Sequence, residues 1–195
     1  MPREISLVRE TSETKISLHL NLDGTGKFEI NTGIPFFNHM LALMSKHGLF
    51  DLSIAASGDI EVDFHHTVED IGILLGESIK RCLDNKEGIQ RYGCSVVPMD
   101  EAIAHVALDI CNRPYLAYNL PISHGTVGGF DIEVIKEFFQ ALTNSGGITL
   151  HINVPYGDNR HHIIEAVFKA FGRALSKAVT IDARIQGVMS TKGLL

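Results

Sequence analysis

The sequence predicts an α+β fold in which one β-β-β-α-β-α unit occurs twice, over about 1–87 and about 88–195, within a single domain. Three observations predict it. A His-His-x-x-Glu triplet beginning at His65 recurs at His161, 96 positions later. The order of strand-like and helix-like segments is the same in both halves, and neither half is rich in crossover-linked parallel strands. We therefore expect two four-stranded sheets, each covered on one face by two helices.

The first half shows the alternation of strands in four places and the period of a helix twice. Its first elements are predicted as two strands within 4–24, a third at 26–33, a helix at 34–48 and a fourth strand at 49–57. A Gly-Thr-Gly turn precedes the third strand, and Gly48 is typical of a helix end. The last helix is predicted from Thr67 to about Asn85, because Thr67 and Asp70 have capping-box spacing, with Asp in place of the usual Glu.

The second half repeats this order after a hinge that we expect near Asn85–Gln90. Its elements are predicted as strands within 91–110 and 113–122, a helix at 131–147, a strand at 148–154 and a last helix at 161–179. The histidine triplet begins the last helix here as well. An internal duplication of about 95 residues accounts for both the matched triplets and the matched elements.

The composition is that of a globular protein, with 45% hydrophobic and 21% charged residues among 195. A net charge of −6 argues against nucleic acid or an anionic membrane as the main partner. The sequence contains no apolar run of about 18 residues, and its opening residues lack the layout of a signal peptide, so we expect a cytoplasmic protein. Three cysteines without CxxC spacing predict reduced thiols rather than disulfides.

The triplets predict metal binding. Neighbouring side chains diverge by about 100° on a helix, so His65 and His66 do not hold one small ion together. Glu69 shares a helical face with one of them, at i,i+3 or i,i+4, and such a pair can chelate a metal. A single triplet is more simply read as a helix start, but two at matched positions favour two metal sites, each drawing on both repeats.

Two further histidines complete these sites, His39 on the first long helix and His151 on a strand of the second half. The expected ligands are then six histidines and two glutamates, three and one for each metal: His39, His65, His66, Glu69, His151, His161, His162 and Glu165. Imidazole and carboxylate together suit Mn, Fe, Zn or Ni. His47, close in sequence to His39, is a candidate proton carrier.

Several motifs across nearly the whole chain resemble the imidazoleglycerol-phosphate dehydratase family. They are RETSET, FFNHML, DFHHTVEDIG, QRYG, TLHI, RHHIIEAVFKAFGRAL and the terminal STKG. The resemblance implies the monofunctional enzyme of histidine biosynthesis, which converts D-erythro-imidazole-glycerol phosphate to imidazole-acetol phosphate and water. It also implies two Mn²⁺ ions per active site and a homo-oligomer of 24 subunits with active sites at subunit interfaces.

Matched position by position, the resemblance implies the same eight metal ligands. Glu13 matches a glutamate that contacts substrate and is a proposed acid–base. The residues that match positions holding the substrate, chiefly its phosphate, are Arg91, Arg113, Lys169, Ser190 and Lys192. Two other functions remain open from the residues alone. One is a structural oligomer that binds zinc or iron without turnover, and the other is a nucleic-acid module, which the acidic balance disfavours.

Overall fold

The computed structural model describes residues 3–195, and its first repeat is a four-stranded sheet carrying two helices. The elements are β1 Glu4–Glu10, β2 Thr14–Asn21, β3 Phe28–Asn31, α1 Pro35–Gly48, β4 Asp51–Gly58 and α2 His65–Leu83. The strand order is β1-β2-β4-β3, antiparallel except for the parallel pair β3 and β4. Alternate residues of β2 are buried, because one face of the sheet packs on the helices and the other does not.

The second repeat has the same elements and one addition. They are β5 Tyr92–Met99, β6 Ala102–Ile110, β7 Tyr115–Asn119, β8 Thr126–Val127, β9 Phe130–Asp131, α3 Val134–Gly146, β10 Ile148–Asn153 and α4 Arg160–Val179. The main sheet has the order β5-β6-β10-β7, and β8 with β9 forms a separate hairpin that the sequence did not predict. Strands of two residues are too short to show a period, and this hairpin occupies the predicted start of the third helix at Asp131.

The two sheets match strand for strand, which confirms the duplicated α+β architecture. His19 of β2 pairs with Ser53, and Ala107 of β6 pairs with His151 at the corresponding place in the second sheet. Each position in β2 therefore corresponds to the position 88 residues later in β6, as His19 corresponds to Ala107.

The repeats pack together through helices of opposite halves, α2 on α3 and α1 on α4. A Cβ at Gly76 would lie 2.4 Å from the carbonyl oxygen of Leu142, and one at Gly172 would lie 2.3 Å from that of Met44. Real Cβ atoms essentially never approach so closely, so only glycine lets these helix backbones come together. The two contacts are equivalent in the two repeats, and they set how far apart the helices lie.

The backbone N–H of the first histidine in each triplet makes the same kind of hydrogen bond near the start of its helix. The Asp63 carboxylate accepts a hydrogen bond from the backbone N–H of His65 at 2.7 Å, and the Asn159 side chain accepts one from His161 at 2.9 Å. The prediction that Thr67 caps α2 is wrong, because α2 already begins at His65 and Thr67 is buried inside its first turn. The side chain two residues before the first histidine bonds its N–H instead.

The junction between the repeats runs beside the C-terminal segment. The N–H of Gly88 donates to the Gly187 carbonyl at 2.8 Å, and that of Gln90 donates to the Thr180 carbonyl at 2.9 Å. The predicted hinge is therefore held by the end of the chain rather than exposed as a free linker. Among the helices of residues 3–195, none is long and apolar enough to cross a membrane.

Candidate metal and active site

Three of the expected metal ligands lie together where α1 passes the beginning of α4. They are His39, His161 and Glu165, and one ligand atom of each lies within 4.8 Å of the others. Glu165 Oε2 is 3.1 Å from His161 Nε2 and 3.6 Å from His39 Nε2. Within residues 3–195 no other three His, Cys, Asp or Glu side chains lie this close. We call this group the α1–α4 cluster.

Both local and tertiary structure build the α1–α4 cluster. His161 and Glu165 share a face of α4 because they are one helical turn apart. His39 comes from the other repeat, and the close approach of α1 to α4 at Gly172 brings it there. The ring of Phe36 packs edge-on against His161 with centroids 5.3 Å apart. The cluster thus combines residues of both repeats in one chain.

Two further titratable side chains surround this cluster. Lys169 Nζ lies 2.5 Å from Glu165 Oε1. Burial raises the pKa of Glu165, but hydrogen bonds from Lys169 and His161 outweigh burial and hold that pKa below its ordinary value. Burial, and then the positive charges of Lys169 and Arg173, lower the pKa of His47. His47 is therefore neutral at pH 7 and able to accept a proton.

The first triplet makes a related set of contacts on α2. His65 Nε2 lies 3.8 Å from Glu69 Oε2, so the first histidine of the pair, at i,i+4, is the one that shares a face with the glutamate. His66 points elsewhere, and its Nδ1 lies 3.0 Å from Asp59 Oδ2 and 3.7 Å from Glu13 Oε2. The hydrogen bond to Asp59 raises the pKa of His66.

Glu13 lies in the turn between β1 and β2. The buried carboxylate of Asp70, on α2, holds this turn against the helix. The Thr11 hydroxyl accepts hydrogen bonds from the N–H groups of Glu13 and Thr14, at 3.1 and 3.0 Å. Asp70 accepts hydrogen bonds from Arg9 Nε at 2.8 Å and from the Thr14 hydroxyl at 2.5 Å. These bonds on both sides of Glu13 fix the turn beside His66.

The second triplet has an acidic neighbour that the sequence did not predict. Glu101 Oε2 lies 2.7 Å from His162 Nδ1, and this hydrogen bond raises the pKa of His162. The same bond, followed by the N–H of Asn159, lowers the pKa of Glu101 to about 2. The signal was present in the duplication, because Glu101 lies 88 positions after Glu13, in the matching hairpin of the second repeat.

Aromatic side chains form a path between the two triplets. The ring of Phe36 contacts His161, and its centroid lies 5.4 Å from the ring centroid of Phe130. The ring centroid of Phe130 lies 5.7 Å from that of Phe64, which precedes His65 in the chain. In the described chain the two triplets share no group of three mutually close ligand atoms. Within residues 3–195 the expected ligands of the two triplets therefore do not form one compact cluster.

Two of the residues expected to hold phosphate contact the same carboxylate, that of Asp109. Arg91 donates from Nε and Nη2 to the two oxygens of Asp109, at 2.6 and 3.0 Å, and from Nη1 to the Met189 carbonyl at 2.7 Å. Three of its five N–H donors are thus used. Arg113 Nη2 lies 3.5 Å from the same Asp109, and its side chain is 68% exposed. Asp109 thereby brings the two guanidinium groups together.

The other two phosphate candidates at the end of the chain lie close by. Ser190 follows Met189, and its Oγ accepts a hydrogen bond from the N–H of Lys192 at 3.2 Å. The side chain of Asn112, next to Arg113, donates to the carbonyl oxygen of Leu195 at 3.0 Å. The structure therefore brings four of the five expected phosphate residues into one region, and Lys169 is instead beside Glu165.

His151 lies on the face of the second sheet that is turned away from the helices. It is exposed, whereas its strand neighbours Leu150 and Ile152 are buried. Thr149, two residues earlier on the same face, donates its hydroxyl to the Arg113 carbonyl at 2.8 Å. His151 is therefore on the side of the sheet that carries the arginines and is not part of the α1–α4 cluster of its own chain.

Comparison with known proteins identifies the group to which this site belongs. The family model for imidazoleglycerol-phosphate dehydratase matches residues 32–175. The chain belongs to the imidazoleglycerol-phosphate dehydratase family. Dehydratases of this name from Pelobacter propionicus and Geobacter sulfurreducens are 57% and 55% identical to it over the full length of both chains.

Two solved dehydratases have the same fold. The crystal structure of the enzyme from Staphylococcus aureus is 40% identical, with a TM-score of 0.83 over 92% of this chain and 99% of that one. The enzyme from Pyrococcus furiosus, in complex with (S)-C348, is 36% identical, with a TM-score of 0.83 over 97% and 100% of the chains.

Membership in the family makes the chain a hydro-lyase that acts on a small phosphate-bearing substrate in histidine biosynthesis. An enzyme is not the metal-binding structural oligomer without turnover that the residues alone left open.

Proposed function

We propose that this chain dehydrates D-erythro-imidazole-glycerol phosphate to imidazole-acetol phosphate and water with the help of two divalent cations, Mn²⁺ first among them. The observation that carries the proposal is the α1–α4 cluster, in which His39, His161 and Glu165 present their ligand atoms within 4.8 Å of one another. Two imidazoles and a carboxylate are a donor set that suits Mn²⁺ and Fe²⁺, so the residues fit a cation of this class.

The expected eight ligands divide into three groups in the chain. The α1–α4 cluster offers two histidines and one glutamate to one cation, and His65 with Glu69 offers one of each to the other. Three histidines remain to complete the two sites: His66, His151 and His162. Three histidines and one glutamate per cation leave coordination positions for substrate or water.

We also propose that a second copy of the chain completes each site. His151 faces outward from the second sheet, while the α1–α4 cluster lies on the helices that cover the opposite face. One His151 can therefore reach a cluster only on another copy. A closed homo-oligomer satisfies this requirement, and 24 subunits is the size that the family resemblance implies.

The reaction removes a weakly acidic C–H proton and expels hydroxide from the neighbouring carbon. When bound, the cations would supply Lewis-acid stabilisation of the negative charge on the substrate's imidazole and oxygen atoms. Glu13 is the first candidate for moving the proton, because its carboxylate is half exposed and is held 3.7 Å from His66. His47 is the second, since its lowered pKa leaves it neutral at pH 7.

The phosphate dianion has partners of opposite charge in the region around Asp109. Arg113 is exposed and Arg91 lies on the same carboxylate, and arginine grips phosphate with two N–H donors at once. Ser190 and Lys192 lie on the segment that folds over Arg91.

Lys169 acts differently in this proposal. Glu165 would hold one of the cations, and its carboxylate would then bond Lys169 less tightly, which would leave the Lys169 ammonium available to the substrate. Cytoplasmic action is part of the same proposal, because a phosphate ester made inside the cell does not cross its membrane unaided.

The test measures bound metal and imidazole-acetol phosphate formation in the same preparation. Chelator treatment should abolish activity, and Mn²⁺ should restore it. The double variant His65→Ala, His161→Ala should lose both metal and activity, while His19→Ala, a histidine on the first sheet, should keep both. Full activity after metal removal, or retained metal in the double variant, would reject the proposal.

A further inference from the structure

We propose that Glu101 is the positioning residue that orients His162 and selects the tautomer in which Nε2 can bind a cation. The inference rests on the proposed function, since it takes His162 to be a metal ligand. Its basis is the 2.7 Å contact between Glu101 Oε2 and His162 Nδ1.

The chemistry of the contact determines the tautomer. An ionised carboxylate only accepts hydrogen bonds, so His162 Nδ1 must carry the hydrogen that joins it to Glu101. The neutral ring then has its free lone pair on Nε2, the nitrogen left to bind a cation. Carboxylates that hold metal-binding histidines in this way also fix the ring and raise its basicity.

The second oxygen of Glu101 fixes the carboxylate itself. Oε1 accepts hydrogen bonds from the N–H groups of Asn159 at 2.8 Å and Asp158 at 3.3 Å, at the beginning of α4. One oxygen therefore bonds the backbone and the other bonds the histidine. Glu101 therefore joins the backbone at the start of α4 to the ring of His162.

The first repeat makes the same bond to His66 from a different place. Glu13 is the repeat mate of Glu101, but Asp59 occupies His66 Nδ1 at 3.0 Å, and Glu13 lies farther away at 3.7 Å. Asp59 thus does for His66 what Glu101 does for His162. The matched glutamates therefore have different roles. Glu13 makes no close hydrogen bond to His66 and is available to the substrate, whereas Glu101 positions His162.

Glu101→Gln tests the role with little change of shape. The amide oxygen can still accept from the backbone at the start of α4, which turns the NH₂ group toward His162 Nδ1. An amide N–H donates, so the ring must then carry its hydrogen on Nε2, where it blocks metal binding. We expect Mn²⁺ affinity at one of the two sites to fall about 10–100-fold, the usual loss when such a partner is removed.

The measurement is the binding isotherm of Mn²⁺ to the full-length protein, with free Mn²⁺ followed by its electron paramagnetic resonance signal. Thermal unfolding in chelator is recorded beside it. Glu101→Gln should weaken binding at one site, should keep a single cooperative unfolding transition, and should regain activity at high Mn²⁺. Asp100→Asn, which removes the same charge one residue away, should bind as wild type does.

His162→Ala separates this inference from the proposed function. If His162→Ala keeps both cations at wild-type affinity, the proposed ligand set is wrong. If His162→Ala loses a cation but Glu101→Gln binds with wild-type affinity, only the role of Glu101 is overturned. Equal weakening in Glu101→Gln and Asp100→Asn would also overturn it, because the loss would then come from charge and not from the hydrogen bond.

Discussion

Gly172→Ala should separate α1 from α4 and thereby weaken the α1–α4 cluster. The added Cβ would lie 2.3 Å from the carbonyl oxygen of Met44, whereas ordinary contacts begin at 3.4 Å. No side-chain rotation relieves a contact between Cβ and backbone, so the helices must move apart by about 1 Å. His39 lies on the helix that moves, and metal sites tolerate only about 0.2 Å of error in ligand distance.

The cost to stability follows from the same contact. Overpacking of a helix interface costs about 1–3 kcal/mol, and a backbone contact this short belongs at the upper end. Alanine returns about 1 kcal/mol through its higher helix propensity. The net loss of about 2 kcal/mol lowers the Tm by about 4–8 °C for a chain of this length.

Gly76→Ala is the matched control, because its Cβ would lie 2.4 Å from the Leu142 carbonyl in the equivalent contact of the other helix pair. His65 and Glu69 lie on the same helix, so a wider gap between α2 and α3 does not change their spacing. Both variants should lose Tm in chelator, but only Gly172→Ala should lose about 10–100-fold in Mn²⁺ affinity at one site. An unchanged Tm in Gly172→Ala, or equal metal loss in both variants, would refute this account.

Two further predictions concern titratable groups. In the native protein a thiol reagent at pH 8 should label at most Cys94. Cys111 is buried, and burial raises the pKa of the Cys82 thiol to about 11. Rapid labelling of all three thiols before unfolding would contradict the fold. The folded-state pKa of Glu101 is lowered to about 2, so its contribution to stability is complete above about pH 4.5 and is lost as the pH falls toward 2. The urea midpoint of metal-free Glu101→Gln should therefore fall less steeply than that of wild type between pH 4.5 and 2, and parallel curves would show that the carboxylate makes no such contribution.

Much of the fold could be read from periodicity, because buried and exposed faces impose a period of two on strands and 3.6 on helices. The eight main strands and four helices carry that signal, and the repeated triplet reveals the duplication. The β8–β9 hairpin could not be found in this way, since a two-residue strand has no period. The prediction that Thr67 begins α2 was wrong because capping-box spacing also occurs inside a helix, and here Thr67 is buried within the first turn.

Some neighbours within the candidate site could be predicted from spacing, but the arrangement of the site could not. Spacing places Glu69 and Glu165 near a histidine of their own triplet, because residues one turn apart share a helix face. It does not say that His39 joins the triplet of the other repeat, which depends on how α1 and α4 pack. Nor does it show that Glu101 bonds His162, since the two lie 61 positions apart and meet only in the folded chain.

The amino-acid sequence by itself determined the duplicated α+β architecture, the kinds of side chain available for metal and phosphate, and the pairing of histidine with glutamate along each helix. These are short-range properties, which local geometry and burial dictate. Only the tertiary structure decided which helices meet, which carboxylate holds each second histidine, and that His151 faces away from the α1–α4 cluster. Those outcomes depend on backbone approach between distant segments, and a glycine with no Cβ at the crossing sets that distance.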